Sequence, residues 1–201
     1  MSDKETTEQG TISIHTENIF PIIKKWLYSE KEIFLRELVA NAVDAIHKMQ
    51  HVNLVESLQK SDEYRVDVLL DKESKTLTVK DNGIGMTADE IRRYINQIAF
   101  SSAEEFVEKF KDVEDKNQII GHFGLGFYSS FMVANHVDIL TKSFKDAPAV
   151  RWSCDGSPEF SIEEIEKSER GTEIILHIAE DSEEFLEEGR IRELLLKYNK
   201  F

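Results

Sequence analysis

Between residues 33 and 46 apolar side chains follow one another almost without a break: Ile33, Phe34, Leu35, Leu38, Val39, Ala40, Ala42, Val43, Ala45 and Ile46. This run predicts a helix that is apolar nearly all round, and such a helix is buried. Four polar residues interrupt it, Glu37, Asn41, Asp44 and Lys48, and at about 100° per residue they share a sector of roughly 60°. On an ordinary amphipathic helix such a stripe marks the solvent edge. Here the stripe is narrow and the remainder oily. Buried carboxylates and amides are costly without partners, so a ligand cavity is the better explanation. Glu37 and Asn41 become site candidates.

Other patterns place this helix in a larger order. Residues 1–10, MSDKETTEQG, read as a flexible segment, TISIH as a short strand, and Thr16 or Asn18 as the cap of a helix through IFPIIKKWLY. The buried helix follows and ends near His51. YRVDVLLD and KTLTVKD alternate with period two around KES, which predicts a β-hairpin. DNGIGM comes directly after it. TADEIRRYINQI is helical, and FSSAEEFVEKFKDVEDKNQ is polar and less regular, so residues 96–126 form a candidate lid. FGLGFYSSFMVA opens on glycines and becomes apolar and helical. HVDILTKSF, AVRWSCD, EFSIEEI and TEIILHI predict four further strands. The order implies an α+β fold, a two-layer sandwich in which helices cover one face of a mixed, mostly antiparallel sheet.

Composition narrows the class. The 201 residues suit one domain, spanning 11–201, with 40% hydrophobic residues and only three prolines. A net charge of −14 opposes nonspecific attraction to nucleic acid or to an anionic membrane, so neither is an expected partner. The single cysteine, Cys154, excludes an intrachain disulfide and fits a reducing compartment. There is no apolar run of the ~20 residues that a membrane span needs, and the polar start lacks a secretory signal; the expected location is the cytoplasm. His47 and His51 share a helix face, but no third ligand accompanies them and they read as surface residues.

Two glycine motifs carry the remaining chemistry. In DNGIGM, Asp81 can accept a hydrogen bond from an exocyclic amine such as that of adenine. Gly83 and Gly85 permit close backbone approach to a ring, and Met86 offers a soft apolar wall. GHFGLGF has G-x-x-G-x-G spacing and no following lysine-serine or lysine-threonine pair, which excludes both the dinucleotide fingerprint and the P-loop. Its glycines can still present backbone N–H groups to phosphate at a helix start. Without a P-loop lysine, triphosphate charge needs Mg²⁺, for which Asn41 could supply an oxygen ligand.

ELVANAVDA (37–45), DNGIGM (81–86), GHFGLGF (121–127) and RGTEIILHI (170–178) resemble, in order and spacing, the four nucleotide-site motifs of the GHKL ATPase superfamily. KEIFLREL, DNGIGMTADEI, GLGFYSSFMVA and FLEEGRIRELLLKY narrow the resemblance to the heat shock protein 90 chaperones, in their bacterial HtpG form. The resemblance covers the chain beyond residue 10, and YINQIAFSSAEEF is similar to a cyanobacterial branch. It implies the GHKL (Bergerat) fold and Mg²⁺-dependent hydrolysis of ATP to ADP and phosphate, driving conformational cycling for protein folding under stress. By motif, Glu37 matches the general base and Asn41 the Mg²⁺ ligand. Asp81 matches the adenine-reading acid, with Gly85 and Met86 beside the base. Asp44 and Asn96 match neighbours of the sugar or phosphates, Thr172 the hydroxyl that supports adenine recognition through water, and Phe127 the pocket aromatic. Phosphate contacts are expected from backbone N–H groups of Gly121, His122, Phe123, Gly124, Leu125, Gly126 and Phe127. Arg36 is expected to hold Glu37 in an ion pair before activation.

The same resemblance implies that middle and dimerisation domains follow KYNKF. Client proteins, co-chaperones and homodimerisation then belong to the longer protein, and the isolated domain is an expected monomer with weak turnover, because family members draw a catalytic arginine from the middle domain. The lid departs from the common I-A-K-S-G-T pattern. Phe100 replaces its lysine and Ser102 its glycine in IAFSSA, which implies altered lid dynamics. His122 stands where glutamine is frequent, and a polar packing role is expected. The rival readings are a nucleotide-sensing module without turnover and a mismatch-repair or topoisomerase ATPase of the same superfamily. A histidine kinase is a weaker rival, since no phosphoacceptor helix precedes the motifs.

Overall fold

The computed structural model describes residues 31–55, 63–96, 126–157 and 159–198. The expected N-terminal segment, TISIH strand and first helix, and the lid apart from Asn96 and Gly126, lie outside the described residues. The helix α1 spans Ile33–Val55, about a turn beyond the expected end at His51, and buries Phe34, Leu35, Leu38, Val39, Ala42, Ile46, Met49 and Val52. These positions recur three and four apart, so they line the face that meets the sheet.

The hairpin forms as its alternation predicts. Strands β1 (Val66–Asp71) and β2 (Thr76–Asp81) pair antiparallel across a polar turn. The Asp71 carboxylate accepts from the backbone N–H groups of Glu73 and Ser74, and Lys75 closes the turn at a φ of 53°. Helix α2 (Ala88–Tyr94) starts in a capping box, with Thr87 Oγ1 accepting from the Glu90 N–H and the Glu90 carboxylate from the Thr87 N–H.

GFYSSFM departs from the α-helical expectation. Gly126–Met132 forms a 3₁₀ helix, in which Ser129 Oγ donates back to the Gly126 carbonyl and the Val133 N–H to the Ser130 carbonyl. Such local bonds compete with the α ladder, and β3 begins at Ala134, leaving no length for a longer helix.

Strands β3 (Ala134–Lys142), β4 (Ala149–Cys154), β5 (Ser161–Ile165) and β6 (Gly171–Ile178) complete a sheet of order β1-β2-β6-β3-β4-β5. Every described pairing is antiparallel, so over these residues the expected mixed sheet is antiparallel throughout. The reason is connectivity: two hairpin-linked groups lie on either side of β6, which returns between β2 and β3 and runs opposite to both. Helix α1 and the Gly126–Met132 turn cover one face of this sheet, giving the predicted α+β sandwich.

A second 3₁₀ helix (Glu180–Leu186) and α3 (Glu188–Tyr198) close over the start of α1. Phe34 meets Phe185 edge to face at 5.1 Å. Glu32 accepts from Arg190 at 2.9 Å and also from Lys197 and Tyr198, whose hydrogen bonds draw its carboxyl down to about 2. Phe34 has no exposed surface, so Phe34→Ala leaves a cavity in the core beside Phe185. Denaturant unfolding is expected to show a loss of about 3–5 kcal/mol with the m-value unchanged.

Candidate functional site

Strand β2 ends on a carboxylate that water scarcely reaches. Asp81 is 7% exposed and lies opposite Thr172 on β6. Its carboxylate accepts from the Gly83 N–H at 2.8 Å and from the backbone N–H of Thr172. Burial pushes the Asp81 carboxyl up to about 7, against the opposing pull of those N–H groups and of the Lys167 and Arg170 charges. The neighbouring Gly171 has a φ of +118°, and a Cβ there would lie 2.1 Å from the Asp81 carbonyl oxygen. Only glycine lets β6 approach so closely.

The turn after Asp81 is held from three sides. Arg170 Nε donates to the Gly83 carbonyl at 2.8 Å and its Nη2 to the Asn82 carbonyl at 2.9 Å. The Ile84 N–H donates to the Ala45 carbonyl of α1, and the Ile84 carbonyl accepts from the Phe144 N–H, both at 2.9 Å. A Cβ on Gly83 would meet the Ala45 carbonyl carbon at 2.5 Å. One on Gly85, where φ is +63°, would meet the Lys142 oxygen at 2.0 Å. The Met86 N–H then donates to Thr141 Oγ1 at 2.9 Å, and Thr141 Oγ1 lies 3.0 Å from Thr172 Oγ1. Asp81, Gly85, Met86 and Thr172 therefore form one connected cluster. Thr141, fully buried, belongs to it and was missed by sequence reasoning. The available signal was a hydroxyl at an inward-facing position of HVDILTKSF.

On α1 the acid is Glu37. Arg36 donates from Nη2 at 2.6 Å and from Nε at 3.1 Å, both to Glu37 Oε1, so the expected ion pair is present. The other carboxylate oxygen faces Gly126, where a Cβ would stand 2.7 Å from Oε2. The last glycine of GHFGLGF is thereby brought onto the acid of ELVANAVDA. Asn41 is half-buried one turn beyond Glu37, and Asp44 is 5% exposed. Burial holds the Lys48 amine below the ordinary lysine range despite the nearby Asp44 and Glu90 carboxylates. Of the polar stripe, Asp44 is buried, while Glu37, Asn41 and Lys48 are partly exposed.

Two candidates sit elsewhere. Phe127, 6% exposed, packs edge to face on Tyr128 and Trp152, each with ring centroids 5.5 Å away, and joins the core. Asn96 Oδ1 accepts from Trp152 Nε1 at 2.9 Å, which commits that oxygen to the sheet. Gly121, His122, Phe123, Gly124 and Leu125 lie outside the described residues. A separate concavity bordered by Thr87, Asp89, Arg92, Pro148 and Ile162 contains none of the candidate residues.

A sheet covered on one face by helices, with a buried acid at a strand end and a second acid on the covering helix, defines a class. Residues 28–182 match the family of histidine kinase-, DNA gyrase B- and HSP90-like ATPases, and the chain belongs to that family. Within it, the chain is 55% identical over 197 residues to chaperone protein HtpG of Porphyromonas gingivalis, an alignment covering 97% of the chain and 28% of that protein. It is 58% identical over 196 residues to chaperone protein HtpG of Bacteroides thetaiotaomicron, covering 96% and 28%, and 41% identical over 204 residues to that of Roseobacter denitrificans, covering 100% and 33%. The chain spans about a third or less of the length of these relatives. None of the three is cyanobacterial, the branch expected from YINQIAFSSAEEF.

The Asp81 environment sets a pH dependence. Its folded-state carboxyl titrates near 7 and an unfolded one at its ordinary 3.8, so the unfolded chain loses this proton first. Its contribution to stability is therefore greatest below about pH 4 and is lost as pH rises towards 7. Urea unfolding of wild type and Asp81→Asn from about pH 5 to about pH 7 is expected to differ in slope by about 1.4 kcal/mol per pH unit. Parallel slopes contradict the assignment.

Proposed function

We propose that the chain is the ATP-binding and ATP-hydrolysing domain of an HtpG-type molecular chaperone, in which Mg-ATP drives conformational cycling that assists the folding of client proteins. The observation that carries this reading is the continuous link from Asp81 through the glycine turn and the Ala45 carbonyl to the helix bearing Glu37 and Asn41. One end suits a purine base and the other suits polyphosphate.

At the base end, Asp81 accepts the exocyclic amine of adenine, Thr172 supports that contact through water, and Gly85 and Met86 lie beside the ring. Thr141 holds the Met86 N–H and the Thr172 hydroxyl in place. Asp44 and Asn96 stand near the sugar or phosphates; with Asn96 Oδ1 bound to Trp152, its amide N–H₂ is the group left to donate. Phe127 backs the pocket from the core. Phosphate oxygens take backbone N–H groups of the segment Gly121–Phe127, in keeping with its glycine spacing.

The donor set at the other end fits a hard cation, since Asn41 offers an amide oxygen and Glu37, one turn before it, a carboxylate. Mg²⁺ bound there, with ATP, would offset phosphate charge. Glu37 orients or deprotonates the attacking water, and the Arg36 ion pair must loosen for it to do so. The isolated domain turns over weakly for want of an arginine from the middle domain. It is monomeric, whereas the longer protein works in the cytoplasm as a homodimer with clients and co-chaperones, during stress. ADP occupies the same site after hydrolysis.

The Arg36–Glu37 pair also favours a second reading, a module that senses nucleotide without turnover. Single-turnover hydrolysis by the full-length protein separates the two. Glu37→Ala is expected to lower the rate by at least about a hundredfold while leaving ATP affinity within about twofold. Equal rates in wild type and variant support the sensing module. Calorimetry of Asp81→Asn is expected to show ADP binding weakened by at least about tenfold in a folded protein, and unchanged affinity overturns the adenine assignment.

A further inference from the structure

On the face of the sheet turned away from α1, residues remote in sequence converge on a second buried carboxylate. Asp138 of β3, its side chain 4% exposed, sits opposite Ser153 on β4, while His136 of β3 sits opposite His177 on β6. A bulge makes this possible. Ala134 pairs with Ile178 and His136 with His177, so Asn135 is an extra residue in β3. By strict alternation His136 would face inward with Ala134; the extra residue turns it outward beside His177.

Both imidazoles present Nε2 to the same acid. His136 Nε2 lies 3.4 Å from Asp138 Oδ1, and His177 Nε2 lies 3.0 Å from Asp138 Oδ2. The rings meet edge to face at 5.1 Å, and the three ligand atoms all fall within 4.8 Å of one another. Asp138 is oriented from behind, because Ser153 Oγ donates to Oδ1 at 2.7 Å and Arg151 Nε at 3.0 Å. Arg151 is itself paired with Glu163 at 3.5 Å, which offsets its charge.

We propose that His136, Asp138 and His177 form a binding site for a borderline divalent transition metal, with Zn²⁺ as its ion. Bonds of ~2.1 Å to nitrogen and carboxylate oxygen place tetrahedral ligands roughly 3.4 Å apart, close to the 3.0 and 3.4 Å already present. Bringing the histidine nitrogens in requires His136 Nε2 to leave Ser153 Oγ, now 2.9 Å away, and both rings to swing inward. Their side chains are 36% and 41% exposed, so the rings have room to move and water has access to the fourth position. Ser153 and Arg151 then act as outer partners of the ligating carboxylate, an arrangement that fixes ligand geometry. Two imidazoles select against Mg²⁺ and Ca²⁺, so this site does not compete for the cation of ATP.

The test is calorimetric titration of the chelator-treated chain with Zn²⁺, together with Co²⁺ titration read by visible absorption. One equivalent is expected to bind, with the Co²⁺ form showing tetrahedral d–d bands, and His136→Ala, His177→Ala and Asp138→Asn each weakening Zn²⁺ at least about tenfold. His47→Ala/His51→Ala is expected to change nothing. Asp138 is buried, so imidazole NMR of the wild type keeps the question open to refutation if Asp138→Asn fails to fold. Zn²⁺ is expected to shift the His136 and His177 resonances together. The proposal is overturned by dissociation constants weaker than ~1 mM, by binding that survives His177→Ala, or by shifts confined to other histidines. Any of these leaves the cluster as a hydrogen-bonded histidine–aspartate network.

Discussion

The candidate site depends on keeping one carboxylate out of water at the point where three backbones converge. Asp81 closes β2, faces Thr172 on β6 and bonds to the first N–H of the glycine turn. Each of these contacts satisfies an acceptor that would otherwise be costly to bury. The approach needed is so close that Gly171, Gly83 and Gly85 have no space for a methyl group. Arg170 then ties the turn's carbonyls to the start of β6. The glycines thus answer to three neighbours: Gly171 to the Asp81 carbonyl, Gly83 to Ala45 of α1 and Gly85 to Lys142 at the end of β3.

Helix α1 joins this cluster to a second acid. Its apolar face fills the space between sheet and surface, and its Ala45 carbonyl receives the turn, so Glu37 is carried on the same rigid element that buttresses Asp81. Rigidity at one end contrasts with a competing bond at the other, where Arg36 occupies Glu37 Oε1 and itself lies 6.0 Å from the Tyr198 ring. Helix α3 therefore bears on the catalytic candidate through the arginine.

The sheet separates two kinds of polar interior. On the helix-covered side Asp81 is raised by burial and satisfied mainly by backbone N–H groups. On the opposite side Asp138 is also penalised by burial, but hydrogen bonds from Ser153, His177 and Arg151 bring it below the ordinary range. The difference lies in the partners: cationic and hydroxyl side chains favour the ionised acid more than two amides can offset desolvation.

Much of this was legible in the chain itself. Period-two alternation located the β1–β2 hairpin, HVDILTKSF, AVRWSCD, EFSIEEI and TEIILHI were each legible as a strand, the oily run located α1, and the helical pattern from Thr87 located α2, because these signals are local. Motif order identified the nucleotide family, and Arg36 beside Glu37 announced their ion pair. Tertiary structure alone decided the rest. FYSSFM became a 3₁₀ turn because β3 starts at once, Asn96 turned to Trp152, Thr141 entered the Asp81 cluster, and a one-residue bulge set His136 beside His177. Register and close backbone approach couple residues far apart in sequence, and no periodicity along one segment encodes the partner it meets.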